Sequence, residues 1–127
     1  MSGRVVHFEI PFDDGERART FYKEAFGWKL DEVPGMDYTM VSTGPATETG
    51  PTEPGFINGG MADRSEALPA PSVTVDVPDI DAALARITEL GGSVVLGKTP
   101  DGDRGFAASF RDTEGNVIGL WQNPPGA

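Results

Sequence analysis

The stretch RVVHFEIPFDDGERARTFYKEAFGW, residues 4–28, decides the fold when it is set beside SVTVDVPDIDAALARITELGG, residues 72–92. In the first, Val6, Phe8 and Ile10 alternate with His7, Glu9 and Pro11, the period-two pattern of a strand over residues 4–12. Asp14 stands where a helix N-cap belongs. Ala18, Phe21, Tyr22, Ala25 and Phe26 then recur at the spacing of one helical face, which assigns Phe21, Tyr22 and Phe26 to packing, and Gly27 ends the helix. In the second stretch Val73, Val75 and Val77 alternate and Asp79 is the cap. Ile80, Ala83, Leu84, Ile87 and Leu90 form the helical stripe, and Gly91-Gly92 stops it. A slide of about 65 residues superposes Phe8 on Val73, Ile10 on Val75, Phe12 on Val77, Asp14 on Asp79, Ala18 on Ala83, Tyr22 on Ile87 and Gly27 on Gly92. One shift that aligns strand parity, cap, stripe and stop predicts an internal repeat.

Outward from these two stretches, strands are expected over residues 28–33 and 37–43 around a Pro34-Gly35 turn, then near 56–62, across Gly59-Gly60. In the second half they are expected near 93–97, 105–111 and 116–122, with a hairpin at Asp112-Thr113-Glu114-Gly115-Asn116. Residues 44–55 read as a loop that could move and gate a site. The expected fold is α+β: one domain of two tandem βαβββ modules, 4–62 and 72–122, joined by a linker at 63–71 that holds Pro69 and Pro71. Curved mixed sheets would form a barrel-like cleft, with the helices on the outer face.

Composition narrows the function. The chain has 127 residues, 20 acidic against 10 basic, for a net charge of −10. No basic stripe for nucleic acid is visible, and an acidic surface repels phosphate polymers and anionic membranes. No apolar run approaches a membrane span and no apolar signal region precedes the first strand, so a cytoplasmic location is expected. The absence of cysteine removes disulfides, thiolate metal sites and cysteine nucleophiles. The single histidine, His7, removes any mechanism needing two from one chain. Seven arginines against three lysines, with abundant alanine, glycine and proline, fit a high-GC bacterial source.

Strand parity places the candidate site. If Val6, Phe8 and Ile10 lie under the first helix, His7 and Glu9 point to the other face. If Val73, Val75 and Val77 lie under the second, Ser72, Thr74 and Asp76 point away from it. With Ile118 and Leu120 as core, Val117, Gly119 and Trp121 take the opposite side. The face without helices therefore collects His7, Glu9, Thr74, Asp76 and Trp121, an expected pocket wall. Against this stand plainer readings: His7 as a structural residue bonded to a neighbour, Glu9 as its ion-pair partner, Trp28 and Trp121 as core, and Asp112 and Glu114 as turn formers.

The run His7-Phe8-Glu9-Ile10-Pro11, with Arg17-Ala18, Phe21-Tyr22 and Phe26-Gly27-Trp28-Lys29, resembles the vicinal oxygen chelate superfamily. So does the ending from Phe110 through Asp112-Thr113-Glu114-Gly115-Asn116 to Ile118-Gly119-Leu120-Trp121. That superfamily holds glyoxalase I, extradiol dioxygenases and fosfomycin- and bleomycin-resistance proteins, and it is built from paired βαβββ modules. In its metal-dependent members four ligands come from module strands. The resemblance puts His7 at the first position and Ser72 at the second. The third falls in the strand around Asn58-Gly59-Gly60, and Gly119 takes the fourth, normally a glutamate. One of the four is filled.

Two functions follow as expectations. The first is a protein without a metal cofactor that binds a small aromatic or cationic molecule in the cleft, as the bleomycin-resistance relatives imply. The second is a divalent-metal-dependent lyase, isomerase or dioxygenase of the glyoxalase type. It would use His7 and Glu9, with Asp76 as a third ligand through oxygen, or with His7/Glu9 as an acid–base pair. The resemblance further implies a homodimer.

Overall fold

The computed structural model describes residues 3–47 and 49–125; Glu48, inside the expected loop, lies outside them. Both predicted caps form. The Asp14 side chain accepts from the Arg17 N–H at 3.0 Å to start α1 (Gly15–Phe26). The Asp79 side chain accepts from the Ala82 N–H at 3.1 Å to start α2 (Ile80–Glu89). The stops differ by one residue. Gly27 is the left-handed cap of α1, with φ 72°. In the second copy the chain turns left-handed at Gly91, with φ 102°, and Leu90 is the cap. Gly92, the repeat partner of Gly27, has another duty: a Cβ there would stand 2.8 Å from the Arg111 carbonyl oxygen.

The strands are β1 (Val5–Phe12), β2 (Lys29–Glu32), β3 (Tyr38–Ser42), β4 (Ala46–Thr47), β5 (Gly50–Pro51), β6 (Gly59–Asp63), β7 (Ser72–Asp76), β8 (Ser93–Pro100), β9 (Phe106–Arg111) and β10 (Val117–Gln122). Contacts group the chain into two units. The first is His7–Pro71; its strands run in the order β2-β3-β6-β1, with β1 and β6 parallel and the other neighbours antiparallel. The second joins the start of β1 to residues 72–125; its order is β7-β10-β9-β8, with β7 and β10 parallel and the rest antiparallel. The Asp76 backbone carbonyl accepts from the Gly3 N–H and its backbone N–H donates to the Arg4 carbonyl, which ties that start to β7. Each unit is thus a helix on a mixed four-stranded sheet, and neither four-stranded sheet closes on itself.

The cores follow the expected parity except at Val6, which is exposed, and Ile118, which lies outside both buried clusters. In the first unit Phe12, Val41 and Met61 are buried, and Phe8, Ile10, Ala18, Tyr22, Trp28 and Leu30 pack against them. In the second, Ile80, Leu84, Ala108 and Leu120 are buried, with Val75, Val77, Ala83, Ile87, Phe106 and Phe110 around them. Fully burying a Val, Leu, Ile, Phe or Met side chain contributes about 1.5–3 kcal/mol. Buried Thr39 is satisfied by Arg19, whose Nη1 reaches its hydroxyl at 3.2 Å while Nη2 pairs with Glu32.

Several local expectations are corrected. Phe21 and Phe26 are 62% and 65% exposed, because only the Ala18–Tyr22 line of α1 meets the sheet. They stack instead on neighbouring rings: Phe21 edge-on to Tyr22, and Phe26 against Tyr22 and Trp28. Leu90 leaves the α2 stripe as the cap and is exposed, and Val73 is at the exposed end of its strand pattern. The expected loop 44–55 contains a short hairpin, β4 with β5. Its base is fastened by Thr43, which bonds the Asn58 side chain and the Ile57 carbonyl. The expected strand at 56 begins only at Gly59, since Phe56 turns back over Gly44. The 63–71 segment is held as well: Arg64 bonds Asp13 and the Pro69 carbonyl, and Leu68 is buried.

Candidate functional site

Parity puts His7 and Glu9 side by side on the face of β1 away from α1. His7 Nε2 lies 2.9 Å from Glu9 Oε1, and the two side chains are 28% and 21% exposed. A third group joins them. The Tyr38 hydroxyl donates to Glu9 Oε1 at 2.7 Å and lies 2.9 Å from His7 Nε2. Three polar atoms from two strands therefore form a closed triangle. Among the described residues Glu9 Oε2 has no hydrogen-bond partner, and the atom is buried on a side chain that is only partly so.

The sheet register explains how Tyr38 gets there. Glu9 pairs with Gly60 on β6, and Gly60 pairs with Met40 on β3. Tyr38 stands opposite Ala62, one diagonal step away, on the face of β3 opposite buried Thr39 and Val41. Its ring crosses β6 over Gly60, and a Cβ at Gly60 would fall on the Tyr38 hydroxyl. Gly59 does the same service on the other face, where a Cβ would strike the Phe8 carbonyl and ring. The glycine pair is two clearances rather than a hinge. Tyr38 was not among the expected site residues; the alternation of Tyr38, Thr39, Met40 and Val41 is the signal that finds it.

The second unit holds the other expected residues on its own face. Thr74, Gly119 and Ser109 form one row across β7, β10 and β9, and Asp76, Trp121 and Ala107 form the next. The Thr74 hydroxyl is 2.9 Å from the point where a Gly119 Cβ would stand. Ser72 Oγ donates to the Val117 carbonyl at 2.8 Å. Trp121 lies over Gly105 and gives its indole N–H to the Asn123 side chain at 3.0 Å. Ser109, absent from the expectations, is buried with an unpartnered hydroxyl. Its signal is its pairing opposite Gly119. His7 and Glu9 thus meet in one unit, and Thr74, Asp76 and Trp121 are neighbours in the other.

Asp112 is a turn former. It accepts from the Glu114 and Asn116 backbone N–H groups and from the Asn116 side chain. The Asn116 backbone bond above all, then its side chain, holds the Asp112 carboxyl below the usual aspartate range. Among the described residues no three His, Asp or Glu side chains are grouped to hold a metal ion. Among the described residues no helix is long and apolar enough to cross a membrane.

Residues 4–44 match the family described as bleomycin resistance protein-like N-terminal. A glyoxylase-like domain-containing protein of Didymella fabae is 29% identical over 127 residues, covering 98% of this chain and 97% of that protein. The solved structure of a glyoxalase/bleomycin resistance protein/dioxygenase superfamily member from Vibrio splendidus superposes with a TM-score of 0.63 at 16% identity, covering 95% of this chain and 98% of that one. The family match, the Didymella fabae relative and the shared fold together support assignment to the vicinal oxygen chelate superfamily. A longer superfamily relative, the glyoxylase candidate CFP32 of Mycobacterium bovis, is 30% identical over 120 residues; the match covers 90% of this chain but 43% of that protein. This chain spans less than half of CFP32. Of the positions that the resemblance implies, His7, Ser72, the strand around Asn58-Gly59-Gly60 and Gly119, only His7 carries a strong metal ligand.

Proposed function

We propose that this protein binds a small organic cation without a metal, with the Glu9 carboxylate as anchor. The observation that carries the reading is Glu9 Oε2: a buried carboxylate oxygen with no partner among the described residues, on a side chain that still reaches the surface, while Oε1 receives Tyr38 and faces His7. An unmet buried acceptor of this kind costs about 1–3 kcal/mol, more when charged. A ligand N–H supplied to Oε2 offsets that cost through a charge-assisted bond of about 1.5–3 kcal/mol. The net charge of −10 favours the approach of cations.

The residues present do not fit a divalent ion at the superfamily positions. Tyr38 occupies the space over Gly60, and Thr74 stands against Gly119. Ser72 is bonded to a backbone carbonyl. His7 and Glu9 remain, and they face each other rather than an open point. A dedicated ion site needs more converging donors than this pair supplies.

A thermal-shift screen of aliphatic and aromatic amines, amidines and guanidines against their neutral isosteres tests the reading. The cations are expected to raise Tm and the isosteres to leave it unchanged, with the effect lost in Glu9→Gln. No stabilisation by any cation would overturn it. So would near-stoichiometric nickel, zinc, manganese or iron in protein purified without chelators, absent from His7→Ala. That second outcome would establish the metal-dependent glyoxalase-type alternative at His7 and Glu9.

A further inference from the structure

We propose that Tyr38, laid across Gly60, is the positioning residue of the His7–Glu9 site, and that with His7 neutral it sets the site to accept hydrogen-bond donors. This rests on the cation-binding reading for its ligand class, though not for its geometry.

The argument is a count of protons. The triangle of His7 Nε2, Glu9 Oε1 and Tyr38 oxygen has three edges of 2.9, 2.7 and 2.9 Å. An ionised carboxylate brings no proton, a phenol brings one and a neutral imidazole brings one. If the Tyr38 proton goes to Glu9 Oε1, the edge between His7 Nε2 and Glu9 is attractive only when Nε2 carries the imidazole proton. The reverse arrangement, with Tyr38 donating to Nε2, leaves Nε2 and Oε1 as two acceptors 2.9 Å apart. The triangle therefore fixes His7 as the Nε2–H tautomer.

The count also fixes what the site offers a ligand. Both protons are consumed inside the triangle. The side-chain oxygen left over is Glu9 Oε2, which is buried and has no hydrogen-bond partner among the described residues. With a neutral imidazole, a carbonyl, carboxylate or phosphate finds no spare proton in the triangle, whereas an ammonium, amidinium or guanidinium finds the Glu9 Oε2 acceptor. Tyr38 gives this polarity by holding Oε1, so that Oε2 is the oxygen presented. Gly60 is the clearance that lets the ring cross the strand, and every larger residue there displaces the hydroxyl.

The single histidine makes the test direct, because every imidazole signal belongs to His7. Long-range 15N–1H spectra of the full chain, recorded where the imidazole is neutral, are expected to show the Nε2–H tautomer. A dominant Nδ1–H tautomer would overturn the proposal. Tyr38→Phe and Gly60→Ala are then compared for folding, His7 15N shifts and affinity for the most stabilising cation of the screen. Both variants are expected to stay folded, to move the His7 Nε2 resonance in the same way, and to weaken the cation at least about tenfold. Changes in Tm alone, with His7 shifts and affinity unmoved, would make Tyr38 a packing residue and overturn the proposal. The spectra need no ligand. If the wild type binds no cation yet shows the Nε2–H form and its loss of environment in both variants, the functional reading fails while the positioning role stands.

Discussion

The two units share an element order and divide their labour differently. In the first, α1 has no buried residue; the core is made by the sheet itself, from Phe12, Val41 and Met61. In the second, α2 drives two buried side chains, Ile80 and Leu84, into the core. The faces away from the helices differ as well. One carries the charged triangle of His7, Glu9 and Tyr38, and the other carries the neutral row of Thr74, Gly119 and Ser109. A duplicated fold thus keeps its strand order and caps while one copy specialises in packing its helix and the other in holding a polar cluster.

The sharpest way to break this comparison is to empty the α2 anchor. Ile80→Ala is expected to destabilise by about 3 kcal/mol in urea unfolding, since Ile80 is fully buried. Next comes Gly60→Ala, expected to cost about 1–2 kcal/mol as Tyr38 is displaced and Glu9 loses a donor. Gly119→Ala is expected to cost less, because the Thr74 hydroxyl at 2.9 Å can rotate away. Equal losses at the two glycines would erase the distinction between the faces. Phe21→Ser on the α1 surface is expected to change stability by less than about 0.5 kcal/mol; a loss like that of Ile80→Ala would show that α1 also anchors a core.

The smallest effect concerns the Asp112 hairpin, in the second unit. The Asp112 carboxyl titrates lower in the folded protein than in the unfolded chain. Its contribution is therefore whole above the ordinary aspartate range and is lost as pH falls through the lowered folded value. The Tm gap between wild type and Asp112→Ala is expected at neutral pH and should close on acidification. A gap that widened in acid would reverse the sign of this assignment.

Much of this was legible in the residues. Asp14 and Asp79 cap as their positions required, and the parity of Val6-His7-Phe8-Glu9 and of Ile118-Gly119-Leu120 put the polar residues on one face of each sheet. What escaped was non-local. Nothing beside Gly59-Gly60 in the chain says that Phe8 and Tyr38 need the space, because both arrive from other strands. Phe21 and Phe26 have helical core spacing, but the width of sheet that α1 covers is a tertiary fact. The gap between Gly27 and Gly91 as left-handed stops shows the same limit: the repeat aligns Gly27 with Gly92, whose constraint comes from Arg111 across the sheet.

The central claim is that Glu9 anchors a cation through an oxygen that the fold leaves unpartnered. Isothermal titration of the most stabilising amine into wild type and Glu9→Gln tests it most directly. One site per chain with at least about tenfold weaker binding in the variant is the predicted result. Equal affinity in the two proteins would contradict it.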